Sequence, residues 1–302
     1  MTPAGSFRIG IKTSQQDTDW RTLDADWTRI GEHDVFDSVW LNDHLNSTRD
    51  PMGGASLESI TTLAALAHRV AGKWVGIGVL SATFRHPSVL AKQLTVLDHV
   101  TGGRLIAGLG AGWHDPEHTP FGIPFPPIVE RFDRFESALA VVRAMFSEEA
   151  RQLPGITLDD RYTPLAGATN EPGTLTPGGP PIWLGGQKRR GIDLAARYAQ
   201  GWIIPFILPD GRTDAIPYFA QRREMLLDRM SELGRDPDGF EFATQIPTGS
   251  SPAAWSHTLG LAREFVEVGA THVILSMPPN LGADGVDAIA GEIAIPLRTA
   301  TG

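Results

Sequence analysis

There is no cysteine among the 302 residues. Its absence removes disulfides, thiolate metal sites and a cysteine nucleophile together. No apolar run approaches the roughly 20 residues a helix needs to cross a bilayer. Positive charge is scarce, with 26 Lys and Arg against 35 Asp and Glu and a formal net charge of -9. That balance argues against nucleic acid or an anionic membrane as the main partner, so an anionic ligand would need a local cluster of cations. Met1 to Ser6 are too few and too polar for a signal peptide ahead of the apolar run that begins at Phe7. The expectation is a soluble, cytoplasmic protein acting on a small molecule.

What is present is an ordinary globular balance, 41% hydrophobic and 20% charged, and a strict alternation of two periods. Short apolar runs rich in β-branched residues read as buried strands, and each is followed by a helical pattern. The strands fall at Phe7 to Lys12, Ser38 to Leu41, Trp74 to Leu80, Arg104 to Leu109, Pro181 to Leu184, Trp202 to Phe206, Phe240 to Gln245 and His272 to Ser276. The helices fall at Trp20 to Glu32, Leu57 to Ala71, Pro87 to His99, Arg131 to Phe146, Arg190 to Ala199, Ile216 to Leu233, Ala254 to Val268 and Val286 to Leu297. Eight βα units with none left over predict an α/β fold, a (β/α)8 TIM barrel forming one domain over 1–302. An open doubly wound sheet would carry a Gly-rich turn after its first strand, and Ile11 to Gln16 contains no glycine. The stretch from Ser147 to Pro180 breaks the rhythm between helix four and strand five. Rich in Pro, Gly and Thr, it reads as a long insertion, either an active-site lid or a solvent-exposed excursion.

In such barrels, polar residues at the carboxyl ends of strands read as functional. This selects Asn42-Asp43-His44 after strand two, Ser81 to His86 after strand three, Gly110 to His118 after strand four and Gly185 to Arg190 after strand five. Gly185 and Gly186 let a backbone approach a ligand, and the next helix aims its free amides there. Gln187, Lys188, Arg189 and Arg190 follow, adding the local positive charge. His44 can exchange a proton near neutral pH, or serve as a structural histidine. His114, Asp115, Glu117 and His118 raise a metal site. Strand one has no histidine and Pro116 interrupts a helical spacing of the two imidazoles, so no metal is assigned.

Several motifs then combine. Arg85-His86-Pro87, Leu90-Ala91-Lys92, Leu97-Asp98, Gly102-Gly103-Arg104 and Gly108-Leu109-Gly110-Ala111-Gly112-Trp113 run across strands three and four. With Asp43-His44, Pro181 to Gly186 and Ala199-Gln200-Gly201-Trp202, the chain resembles the bacterial luciferase-like monooxygenase superfamily, and within it the coenzyme F420-dependent oxidoreductase branch. The resemblance implies a deazaflavin or flavin at the strand ends. It implies that Asp43 touches the ring, that His44 handles the proton, and that a cis peptide at Gly78-Val79 backs the ring. Gly185, Gly186, Gln187, Lys188 and Arg189 would hold the phosphate. Trp113 and Glu117 would border the cofactor, while Phe84, Trp113 and His114 would line the substrate side. A homodimer is usual in the family. Trp113 stands where the glucose-6-phosphate dehydrogenase type has a glutamate, and Gln200 where Asp is common before Gly-Trp. The insertion is expected to shape the substrate site. An FMN-dependent monooxygenase and a non-catalytic flavin-binding protein are the alternative readings.

Overall fold

Each apolar run becomes a strand and each amphipathic stretch a helix. The computed structural model describes residues 7–49, 53–205, 214–279 and 281–299. Its barrel strands are β1 (Arg8–Lys12), β2 (Ser38–Leu41), β3 (Trp74–Ile77), β4 (Leu105–Gly110), β5 (Ile182–Gly185), β6 (Gly201–Pro205), β7 (Glu241–Pro247) and β8 (His272–Ser276). Between and after them come α1 (Trp20–Gly31), α2 (Ser59–Leu66), α3 (Pro87–Val100), α4 (Ile128–Met145), α5 (Arg189–Tyr198), α6 (Ala215–Glu232), α7 (Pro252–Glu267) and α8 (Gly282–Ile289). The strands are parallel in the order β3-β2-β1-β8-β7-β6-β5-β4, and Val75 and Gly76 of β3 pair with Leu105 and Ile106 of β4 to close the ring. The predicted barrel is therefore the observed one. Phe206, expected as the end of strand six, lies outside the described residues.

Alternation along β1 sorts the side chains. Ile9 and Ile11 are fully buried among the surrounding helices, whereas a Cβ at Gly10 would lie 2.9 Å from the Trp40 indole nitrogen inside the barrel. Gly10 has no side chain because Trp40 needs that space. Gly201 does the same for Trp183, whose indole nitrogen would be 2.5 Å from a Cβ there. Trp40 and Trp183 pack with centroids 5.3 Å apart and, with Ile106, Ile203, Ala243 and Ile274, plug the barrel. The interior is a packed core, and ligands are confined to its ends.

Helix starts follow local chemistry. Asp19 caps α1 through the Thr22 amide at 2.9 Å, and Leu23, Trp27 and Ile30 form its buried stripe. Ser251 caps α7, with Pro252 in the first turn where a missing N–H is harmless. The expected third strand is interrupted. It stops at Ile77, passes through a cis Gly78–Val79 bond and resumes only as Leu80–Ser81.

The insertion corrects one expectation. It forms a short antiparallel hairpin, Ile156–Leu158 with Leu165–Ala168, and then folds back along α3 and α4. Asn170 Nδ2 donates to Thr95 Oγ1 and to the Met145 carbonyl at 3.0 and 2.8 Å, and Thr176 bonds Asp98 through its amide and hydroxyl at 2.8 Å each. These anchors sit in the later turns of α3 and at the end of α4. Helices run antiparallel to the strands, so those turns lie toward the amino face of the barrel. Among the described residues the insertion's bonds go to the outer helices and none reaches the residues selected at the opposite rim.

Candidate active site

Four neighbouring strand ends, β2 to β5, bring the sequence-selected residues to one arc of the carboxyl rim. Asp43 is the organiser. Its buried carboxylate receives Arg85 through both guanidinium nitrogens at 2.7 and 2.8 Å, the Ser59 hydroxyl at 2.5 Å and the Ser81 amide at 2.7 Å. One side chain thus ties the end of β2 to the start of α2 and to the segment after the cis bond. Both of its oxygens are engaged.

Beyond that bond, Val79 rests against glycines. A Cβ at Gly110 would come within 2.8 Å of Val79 Cγ2, and one at Gly185 within 3.2 Å. The glycine ends of β4 and β5 are thus the surface on which the turned chain sits. The expected Gly78–Val79 bond, the strand-five glycines and Asp43 share the same rim.

His44 follows Asp43 directly. Its Nδ1 donates to Glu117 Oε2 at 2.7 Å, and Glu117 Oε1 accepts the Leu45 and Asn46 amides at 2.5 and 3.2 Å. Burial raises the Glu117 pKa, but the bonds from His44 and from the Asn46 and Leu45 amides outweigh it and hold the group below the ordinary carboxylate value. An ionised Glu117 fixes a ring proton of His44 on Nδ1 and leaves Nε2 on the other side of the ring. Nε2 has no hydrogen-bond partner among the described residues. Glu117 reaches His44 because Asp115–Glu117 winds as one 3-10 turn.

Aromatic rings stand beside the His44 imidazole. Trp113 and His114 each stand edge-on to His44 at 5.7 Å, and Trp113 is 69% exposed, unusual for so large a side chain. Burial lowers the His114 pKa, opposed by Glu117 and reinforced by His44 and His118. Phe84 packs on His118 at 5.3 Å, and His118 on Phe125 at 4.2 Å. His118 is itself spent, with Nδ1 on the His114 carbonyl and Nε2 on Thr83 Oγ1, at 2.9 and 2.8 Å. Among the described residues no group of three or more His, Asp or Glu is arranged to hold a metal.

The fifth strand leads into an open helix end. Gly186 has φ +128 and lies so close to α5 that a Cβ would stand 3.1 Å from Gly191 Cα. Lys188 occupies the N-cap position without a side-chain cap bond, so the first amides of α5 remain available. Gln187 Oε1 is buried with no partner among the described residues. Arg190 is drawn away by Asp133 at 2.5 Å and the Val129 carbonyl at 3.1 Å. Lys188 and Arg189 stay exposed, with no ion-pair partner among the described residues.

Two residues escaped the sequence reading. Lys12, at the end of β1, donates to Gln245 Oε1 on β7, two strands round the mouth, and Gln245 Nε2 donates to the Gly78 carbonyl at 3.3 Å. The strand-end rule would have found both, had it been applied to strands one and seven. Two open clefts lie elsewhere, one of about 520 Å³ beside Asp17 and Gly282 and one of about 440 Å³ at the amino face beside Asp34 and Lys73. Neither meets the His44 arc.

Parallel closure puts that arc on the carboxyl rim, the face where βα barrels bind small ligands. The chain belongs to the luciferase-like monooxygenase family, whose model matches residues 8–270. It is 31% identical over 198 residues to an F420-dependent glucose-6-phosphate dehydrogenase of Beutenbergia cavernae, a stretch covering 65% of this chain and 56% of that relative. A protein of the same description from Microbacterium testaceum is 28% identical over 249 residues, 82% of this chain and 69% of the relative. Among solved structures, an F420-dependent secondary alcohol dehydrogenase in complex with an F420-acetone adduct superposes with a TM-score of 0.75 at 18% identity, covering 97% of this chain and 99% of the other. No helix among the described residues is long and apolar enough to cross a membrane.

Proposed function

We propose that the protein is a cytoplasmic oxidoreductase dependent on coenzyme F420, exchanging a hydride with a small organic substrate while His44 moves the accompanying proton. The observation that carries this reading is the His44–Glu117 pair, 2.7 Å apart beside the cis Gly78–Val79 bond's rim. The relatives named for F420 support the choice of coenzyme.

The residues fit such a group. Glycines 110 and 185 leave a low rim around Val79 where any side chain would collide, and the uncapped start of α5, the unpartnered Gln187 Oε1, Lys188 and Arg189 suit a phosphate. The deazaflavin, when bound, supplies the hydride-carrying ring. Gly78 and Val79 back that ring; Gly185, Gly186, Gln187, Lys188 and Arg189 take the phosphate. Asp43 keeps the rim in shape from beneath. Glu117 acts through His44, since three donors already occupy its oxygens. Trp113 borders coenzyme and substrate alike, and His114 and Phe84 close the substrate side and exclude water. His44 Nε2 accepts or returns a proton at the substrate oxygen. The protein is taken as a homodimer, supported by Val89, Val96 and Val100, which leave an apolar, exposed line along α3.

Fluorescence titration of the apoprotein with F420 and with FMN tests the coenzyme. Binding of F420 and not FMN is expected. FMN binding with oxygen consumption would replace the reading with a monooxygenase, and binding without turnover of any carbonyl or alcohol would leave a non-catalytic flavin-binding protein.

A further inference from the structure

Lys12 is a cation in a place where cations are costly. Gly10 faces the barrel interior, so Lys12, two residues on, faces it too. Below it lies the apolar plug of Trp40, Ile106, Trp183, Ile203, Ala243 and Ile274. That plug offers no acceptor to the ammonium. The flanking strands present Trp40 on β2 and Ser276 on β8 in register with it, both uncharged. Gln245, two strands round the mouth, and the Gly78 carbonyl that it meets are also neutral. Among the described residues, the charge acting on Lys12 is the Arg49 guanidinium, of the same sign and itself paired with Asp17 at 3.3 Å. Burial first, and Arg49 second, push the Lys12 pKa down to about 8.

An ammonium has three donors and Gln245 takes one. With an apolar floor beneath and no further hydrogen bond from Lys12 among the described residues, the other two donors open toward the mouth. Gln245 meanwhile hands its own proton to Gly78 of the cis bond, so the Lys12 donors open beside the same surface that is read above as the ring's support. We infer that Lys12 is a positioning residue for the cofactor, its free donors meeting a carbonyl or anionic oxygen on the pyrimidinedione edge that deazaflavin and flavin rings share. The inference rests on the proposed function for the presence of such a ring. It adds a cationic contact at the ring itself, separate from the phosphate end at α5.

The test is Lys12→Met in the full chain, titrated by fluorescence with F420 and with FMN between about pH 6.5 and 9.5, alongside thermal unfolding of both proteins without ligand. A charge-assisted bond of this kind predicts affinity for the bound ring at least about tenfold lower in the variant near neutral pH. Wild-type affinity should also fall, relative to Lys12→Met, as pH rises through and above about 8. The cofactor's own titration enters both curves and cancels in their ratio. Melting of the apoprotein should stay level or rise, because an ammonium without a carboxylate has been replaced by an apolar chain. Equal affinity of the two proteins at all pH values would overturn the inference while leaving the cofactor reading intact. A lower melting temperature with pH-independent loss of binding would also overturn it, making Lys12 a structural brace for Gln245. If the wild type binds neither ring, both readings fall. Lys12→Arg serves as a second variant, expected to keep affinity without the alkaline decline.

Discussion

Two histidines mark the two halves of the barrel. His44 stands at the rim, its Nδ1 held 2.7 Å from an ionised carboxylate and its other nitrogen uncommitted. His272 lies in the interior on β8, fully buried, with Nε2 2.7 Å from Ser38 Oγ, edge-on to Trp40 and Trp183, and Nδ1 without a partner. Burial first, and repulsion from Arg8 and Arg298 second, push the His272 pKa down to about 3. The rim gives a histidine a counter-charge and leaves its second nitrogen without a partner among the described residues. The interior surrounds one with indoles and a hydroxyl and suppresses its charge. A histidine in a barrel therefore carries no function by itself. What it faces decides.

The comparison can be broken at several points, and the largest effect should come at His44. His44→Ala should lower F420 turnover by roughly 10²–10⁴-fold, equivalent to about 3–5 kcal/mol, with cofactor affinity nearly unchanged. Steady-state kinetics beside a fluorescence titration separates the two, and undiminished turnover would end the proton-transfer role. Next comes the carboxylate that shapes the rim. Asp43→Ala leaves the buried Arg85 with Glu58 as its remaining carboxylate and the Ser81 amide without its acceptor, and should cost about 2–3 kcal/mol of stability, read as a lower urea midpoint. A surface-like loss under about 1 kcal/mol would mean that the rim does not depend on this ion pair.

His272 should show itself through acid. Its folded pKa lies below the unfolded value, so the unfolded chain binds the extra proton between pH 6.5 and about 3. Its contribution is complete above pH 6.5 and is lost as pH falls, by up to about 1.4 kcal/mol per unit. Asp26, buried and raised to about 6, works in the opposite direction over part of that range. The quantity to measure is therefore the difference in stability between wild type and His272→Gln across pH 7 to about 4. A constant difference would show that the interior does not suppress charge as described. The smallest effect belongs to the exposed cations. Lys188→Ala or Arg189→Ala should weaken F420 binding by a factor of about 2–5, fading in high salt. Salt-independent loss would move the phosphate away from α5.

Much of this was legible in the amino-acid pattern, though unevenly. The eight strands could be read because parallel strands buried on both faces need continuous apolar runs, such as Leu105 to Leu109, and those runs have no other use. The rim residues after strands two to five could be read because closure sends every strand's carboxyl end to one face. Three things were not legible. Periodicity runs the third strand unbroken to Leu80; only the family resemblance located the cis bond at Gly78–Val79, where Val79 meets Gly110 and Gly185 far along the chain. The seat of the insertion depends on single bonds from Asn170 and Thr176 to α3 and α4. The Lys12–Gln245 contact joins residues 233 apart, which no local periodicity records.

The amino-acid order alone determined the alternation of strand and helix, hence the barrel and the rim at which chemistry is possible, because hydrophobic period is a local property. The tertiary structure decided which polar groups are spent and which are free. Asp43 is consumed by Arg85, Glu117 by His44 and Arg190 by Asp133, while Lys12, Lys188 and the second nitrogen of His44 keep capacity for a ligand. Hydrogen bonds reach only about 3 Å, and which groups come that close is settled by packing of the whole chain.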